Sequence, residues 1–226
     1  MIKNRRHGYH LNSSYWQNYK KTVPDLSDTQ FQIAVGMICE DATMRRVSKE
    51  AFIKFEQGYK QKDFVFHLFD NFGGYTFVDS PKTRFDDKKK KIKSYWFRTF
   101  SHKNFTPLFE SFYKLRLDGK YRKTITPNLV FDLVTPRSLA YWIMSDGSLQ
   151  NDSKSMILHT QSFTEKENYI VSDELNRKFG FHSVVKTHKT NYFVVFFPAQ
   201  DAQLLFDLIQ PFMIPSMWYK LPKMKS

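Results

Sequence analysis

Two stretches of this chain are apolar on nearly every side and then close on an aspartate. One reads FQIAVGMICEDATM (residues 31–44) and the other SLAYWIMSDGSLQ (residues 138–150). Apolar residues all round predict helices buried along their length. The first starts where Ser27 and Gln30 have capping-box spacing. The second starts with Thr135 as N-cap and Pro136 at the first helical position, and stops at Gly147. After the first come alternating stretches TMRRV and AFIKFEQ, then a helical KQKDFVFHLFDNF ending at Gly73-Gly74. Strand candidates YTFV and KIKSYWFRTF follow, then a helix in NFTPLFESFYKLR. After the second comes strand-like SMILHTQ, then the helical TEKENYIVSDELNRKF with a capping box at Thr164 and Glu167. HSVVKTH and YFVVFFP read as strands and AQDAQLLFDLIQPFM as a closing helix.

The order helix–strand–strand–helix–strand–strand–helix therefore occurs twice, and FEQGYKQKD…NFGG is echoed by HTQSFTEKEN…KFGF. The pattern predicts a mixed α/β (α+β) chain built as a pseudo-twofold duplication of αββαββα halves. Residues 25–122 form the first half and 123–226 the second, with the join in the polar stretch at 118–128 and residues 1–24 as a basic N-terminal arm. That leading segment has no acidic residue before Asp25, so a transit peptide also fits it.

Composition narrows the function. The chain has 226 residues, net charge +13 and 41% hydrophobic residues, with 23 Phe and 12 Tyr. That is enough for a packed core, and the charge points to a polyanionic partner, with nucleic acid ahead of a merely basic surface. A single cysteine, Cys39, excludes a disulfide framework and a Cys-rich zinc site. No apolar run reaches the roughly 20 residues that cross a bilayer, so no membrane partner is expected. The richness in Phe, Tyr, Lys and Asn fits AT-rich coding, as in a mitochondrial or other organelle genome. P-loop, Rossmann and metalloprotease patterns are absent from the sequence.

The chemistry is expected where the two buried helices end. Helix C-termini carry partial negative charge and unpaired carbonyls. Adding Asp41 and Asp146 there makes an oxygen-rich acidic spot that is unfavourable without cations, Mg²⁺ first. The two helices resemble the LAGLIDADG signature, and the chain from about Phe31 to Pro222 resembles a single-chain LAGLIDADG homing endonuclease of the mitochondrial omega-intron branch. TPRSLAYWIMSDG, LHTQSFT, KTITPNL and IPSMWYKLP carry the resemblance most specifically. The second helix keeps Leu139, Ala140, Ile143, Asp146 and Gly147. The first keeps Gly36, Ile38 and Asp41, with Glu40 in place of a small residue and Ala42 in place of the terminal glycine.

That resemblance implies two curved antiparallel sheets forming a saddle on double-stranded DNA, and a monomer that cuts both strands at a long site. It implies Mg²⁺, with Mn²⁺ as a substitute. It makes Asp41 and Asp146 the metal-holding catalytic acids and Lys123 and Lys220 their supporting lysines. Arg45, Arg46, Lys54, Lys88, Lys91, Lys93, Arg98, Lys186, His188 and Lys189 are the expected DNA contacts, Arg suiting guanine and Lys phosphate. In KIKSYWFRTF the spacing puts Lys91, Lys93, Tyr95 and Phe97 on one face and Arg98 on the other, unless a bulge intervenes. The lysine run at 84–93 reads equally as a solvated loop. Two rival readings stand beside it: an RNA maturase on the same scaffold, with intron RNA as partner, and a basic DNA-binding regulator without chemistry.

Overall fold

The computed structural model describes residues 10, 13–86, 88, 90–187 and 192–224. By packing, these fall into two compact units. The first holds Met1–Gln30 and Ala42–Phe109, and the second holds Phe31–Asp41 and Glu110–Ser226. Residues 31–41, the apolar part of the first buried helix, thus pack with the second unit rather than with the strands that follow them.

In the first unit, α1 (Ser14–Thr22) lies within the segment expected as a basic arm. Its Trp16 is 1% exposed and meets Phe77 edge-on at 4.8 Å, so this stretch is part of a core. Helix α2 (Asp28–Ile38) starts at the expected capping box: the Gln30 amide donates to Ser27 Oγ, and the Ser27 amide donates back to Gln30 Oε1. Strands β1 (Thr43–Val47) and β2 (Glu50–Gly58) follow, then helix α3 (Lys62–Phe72), β3 (Lys82–Phe85), β4 (Ile92–Arg98) and α4 (Thr106–Phe112). The four strands form one antiparallel sheet in the order β1-β2-β4-β3. Strand β2 alternates strictly: Ala51, Ile53, Phe55 and Gln57 are buried, while Phe52, Lys54 and Glu56 face outward. Phe64, Val65, Leu68 and Phe72 of α3 cover the inner face, where Phe55 stacks on Phe97 at 4.9 Å.

Two sequence expectations change here. YTFV is not a strand, because residues 73–75 make a 3-10 turn and Thr76 Oγ1 donates to the carbonyls of Gly73 and Val78. The strand lies further on, at KTRF. In β4 the ladder slips between Arg84 and Phe85, which leaves Lys93 as an extra residue. From there the pleat sends Tyr95 and Phe97 inward with Gln57 and Phe55, and Trp96 and Arg98 outward opposite Glu56 and Lys54. Arg98 therefore shares the outer face with Lys54, and Phe97 belongs to the core.

The second unit opens with β5 (Tyr113–Leu115) and β6 (Tyr121–Lys123), a two-stranded antiparallel ribbon; β5 lies where the sequence suggested the end of a helix, which stops at Phe112, and β6 lies in the expected polar join. Helices α5 (Leu129–Leu133) and α6 (Pro136–Asp146) follow, then β7 (Gly147–Leu149), β8 (Met156–Leu158), α7 (Glu165–Phe179), β9 (Val184–Thr187), β10 (Phe193–Phe197) and α8 (Ala202–Ile209). Their sheet runs β7-β8-β10-β9, the same strand order as in the first unit, so the duplication is real at the level of topology. Helix α7 has the expected capping box, and Gly180 closes it at φ +80°.

Segment 125–131 is fixed to α7 by two buried acidic side chains on one face, two turns apart. Glu167 accepts the Ile125 amide at 3.0 Å. Glu174 accepts the amides of Asn128, Val130 and Phe131, satisfying the orphan donors at the start of α5. Among the described residues no helix is long and apolar enough to cross a membrane.

Candidate active site

Helix α6 is placed by its N-terminus and its crossing with α2. Thr135 Oγ1 accepts from the Ser138 amide, and Pro136 costs no hydrogen bond at the first position. Every residue from Ser138 to Ser145 is buried. Gly36 of α2 sits against the Ser138 carbonyl, leaving no room for even a methyl group. At the far end, a Cβ on Gly147 would stand 2.8 Å from the Ile143 carbonyl oxygen, so only glycine lets the chain turn directly from helix into β7.

This crossing brings the two helix ends together. Glu40, Asp41 and Asp146 each offer a carboxylate oxygen, and the three atoms lie within 4.8 Å of one another. Ser145 Oγ donates to Asp41 Oδ2 at 3.0 Å. Lys123 Nζ donates to the Glu40 carbonyl, and Lys220 Nζ donates to the carbonyls of Ile143, Met144 and Ser145 at 3.2, 2.6 and 3.1 Å. Each lysine thus caps the end of an acid-bearing helix, where a cation meets the negative pole of the macrodipole. Lys220 is 7% exposed and uses all three of its N–H groups this way.

The charges are strongly interdependent. Burial, and then the neighbouring Asp146, push the Glu40 carboxyl well above the usual carboxylate range. Burial also raises Asp146, against the pull of Glu40, His159 and Lys220. Burial lowers Lys123 despite Glu40 and the two aspartates, and brings Lys220 down to about 8. Glu40 Oε2 is buried without a hydrogen-bond partner. Three crowded carboxylates with an orphaned oxygen make a hard-oxygen donor set suited to a divalent cation. Cys39 is fully buried and its thiol is pushed up by burial, so it packs rather than reacts.

Around Asp146, the His159 amide donates to the Asp146 carbonyl. The ring of His159 meets Ser148 Oγ at 2.8 Å and Gln161 Nε2 at 3.1 Å. The Gln161 amide donates to Nδ1, which leaves Nε2 carrying the proton toward Ser148.

Of the residues expected to act, Asp41, Asp146, Lys123 and Lys220 all come together in the second unit. Arg45, Arg46, Lys88, Lys91, Lys93 and Arg98 are exposed in the first unit, and Lys54 is half-buried there beside Trp96. Lys186 is exposed on β9, its ammonium over the Phe196 ring at 3.1 Å. His188 and Lys189 lie outside the described residues. Glu40, Ser145 and His159 were not expected. Glu40 was visible as an acid next to Asp41, but only the fold places it against Asp146.

Residues 31–205 match the model of the LAGLIDADG DNA endonuclease family. A probable intron-encoded DNA endonuclease 3 from Mycosarcoma maydis is 48% identical over 59% of this chain and 96% of its own length. A probable intron-encoded endonuclease 1 from Wickerhamomyces canadensis is 33% identical over 93% of this chain and 91% of its own. Among solved structures, the homing endonuclease I-WcaI bound to its DNA recognition sequence superposes with a TM-score of 0.85, at 32% identity and 95% coverage of both chains.

Proposed function

This chain belongs to the LAGLIDADG DNA endonuclease family, and from that premise we propose that it hydrolyses one phosphodiester in each strand of a long, specific duplex site, using Mg²⁺ or Mn²⁺. The observation that carries the reading is the convergence of Glu40, Asp41 and Asp146 within 4.8 Å in a chain of net charge +13. Such a cluster is costly unless cations occupy it and is useless for phosphate binding without them.

Asp41 and Asp146 would hold the ion, with Glu40 beside them. When bound, a divalent ion polarises a phosphate oxygen and lowers the pKa of a coordinated water. The protein's part is to place groups. Ser145 fixes the Asp41 carboxylate, and Lys220 fixes the helix end from which Asp146 projects. Lys123 sets a half-buried positive charge beside both acids, where it offsets charge gathering on the phosphate. Hydrolysis joins the water oxygen to phosphorus as one ester P–O bond breaks. Both acids come from one chain, so a monomer suffices. Arg45, Arg46, Lys54, Lys88, Lys91, Lys93, Arg98 and Lys186 supply phosphate and base contacts. The composition and the intron-encoded relatives support an organellar setting, the mitochondrion first.

The test is cleavage selection from a randomised duplex library with and without Mg²⁺, run beside an intron-splicing assay. Wild-type protein should recover one site, in Mg²⁺ only. D41N and D146N should each retain binding to that site and cut it at least 100-fold more slowly. Full cutting by both variants refutes the assignment. Splicing without cutting would make the chain a maturase.

A further inference from the structure

The ribbon of β5 and β6 takes no part in either sheet, and all nine residues from 114 to 122 are exposed. A two-stranded ribbon standing alone is marginal in water, and this one leaves Leu115 60% and Leu117 fully exposed. Its register sorts the side chains by charge. Lys114 pairs with Arg122, and one step further the Arg116 amide donates to the Lys120 carbonyl. Side chains two residues apart share a face, so Lys114, Arg116, Lys120 and Arg122 line one side, with Asp118 at the tip as the sole acid. The opposite side carries Leu115, Leu117 and Tyr121.

The cations hold only light local partners. Lys114 reaches the Glu110 carbonyl, Arg116 reaches Thr124 Oγ1, and Arg122 reaches Asp118, all at exposed positions. The final residue of β6 is Lys123, whose ammonium donates to the Glu40 carbonyl. The ribbon therefore runs directly into the residue that reaches the carboxylate cluster, with its cation rows about 7 Å apart and about 3–10 Å along the strand from Lys123, on the side opposite that lysine.

We propose that this ribbon is a clamp on the DNA phosphate backbone immediately beside the cut, its four cations gripping the duplex. The proposal rests on the nuclease reading for its partner, and charge selects that partner. A duplex carries one negative charge per about 1.7 Å of its axis, so several phosphates lie within the ribbon's reach. The exposed Leu115 and Tyr121 lie on the other side, with Lys123. None of these residues holds the ion, so their loss weakens grip rather than chemistry.

The experiment measures duplex binding of the selected site in Ca²⁺ across a salt series, for wild type and for the K114Q/R116Q/K120Q/R122Q variant. The slope of log K against log salt should flatten by about 0.9 for each cation that meets a phosphate, up to about 3.6 for all four. A change smaller than about 0.9, in a variant that melts like wild type, overturns the clamp. Should the quadruple variant not fold, K114Q/R122Q and R116Q/K120Q are measured separately, each expected to flatten the slope by about half. A wild type that binds steeply but never cuts defeats the nuclease reading alone. An unchanged slope in a protein that cuts defeats the clamp alone.

Discussion

Replacing Gly36 with alanine tests whether helix spacing sets the active site. A Cβ at position 36 would lie 3.0 Å from both the Ser138 carbonyl carbon and Tyr141 Cβ, and closer still to the Ser138 oxygen. These atoms cannot swing away, because they are backbone or attached directly to it. Carbon atoms settle at about 3.5–4.0 Å, so α2 and α6 must part by about 0.5–1 Å. Overpacking of this kind costs about 1–3 kcal/mol. For a chain of this size that lowers the melting temperature by about 2–12 °C. The same displacement draws Asp41 from Asp146 and from Ser145 Oγ, now 3.0 Å away. A misplacement of about 1 Å can cost about 100-fold in rate. Scanning calorimetry and single-turnover cleavage of G36A should therefore both fall. A variant that melts within about 1 °C of wild type refutes the packing argument. One that melts low yet cuts at the wild-type rate refutes the coupling of helix spacing to catalysis.

Three further outcomes follow from buried or networked charge. K220M leaves three carbonyls at the end of α6 without their donor, and chemical denaturation should register a loss of about 1–3 kcal/mol together with slower cleavage. E174Q keeps one acceptor oxygen where three amides now share a carboxylate. It should destabilise by about 1–3 kcal/mol, and hydrogen exchange should speed up in 128–131 before the rest of the unit. Burial alone would raise Glu56, but hydrogen bonds from Lys54 and Ser94 and the charges of Lys54 and Arg84 hold it below the ordinary glutamate value. A depressed carboxylate stabilises the fold above its unfolded pKa and loses that contribution as pH falls through the folded value. The stability gap between wild type and E56Q should therefore be full at neutral pH and close as pH falls below the ordinary glutamate range, and a gap independent of pH would remove the argument.

The parts legible in the sequence were those with a local cause. The capping boxes at Ser27 and Thr164, Pro136 at a helix start and the apolar faces of α2 and α6 needed no knowledge of distant residues. What escaped depended on partners remote in the chain. The sequence left a bulge in β4 open, but its position at Lys93, and which face of the strand is the inner one, are set by the neighbouring strands. The β5–β6 ribbon has strands of three residues, too short for alternation to show, so β5 read as the tail of a helix and β6 as a polar join. Thr76 reads as a strand former, yet its hydroxyl closes a turn. Glu40 read as a departure from a motif, and its meeting with Asp146 is a fact of helix crossing. Lys220 was expected near a phosphate, and the fold gives its protons to the end of α6.

Lys220 also sets when the site can exist. It lies 76 positions beyond Met144, whose carbonyl it holds, and Lys123 lies 83 beyond Glu40. A ribosome making this chain therefore exposes both acids long before it delivers the last cation that steadies them. A product terminated ahead of Lys220 would carry both acids while three carbonyls at the end of α6 lack their donor.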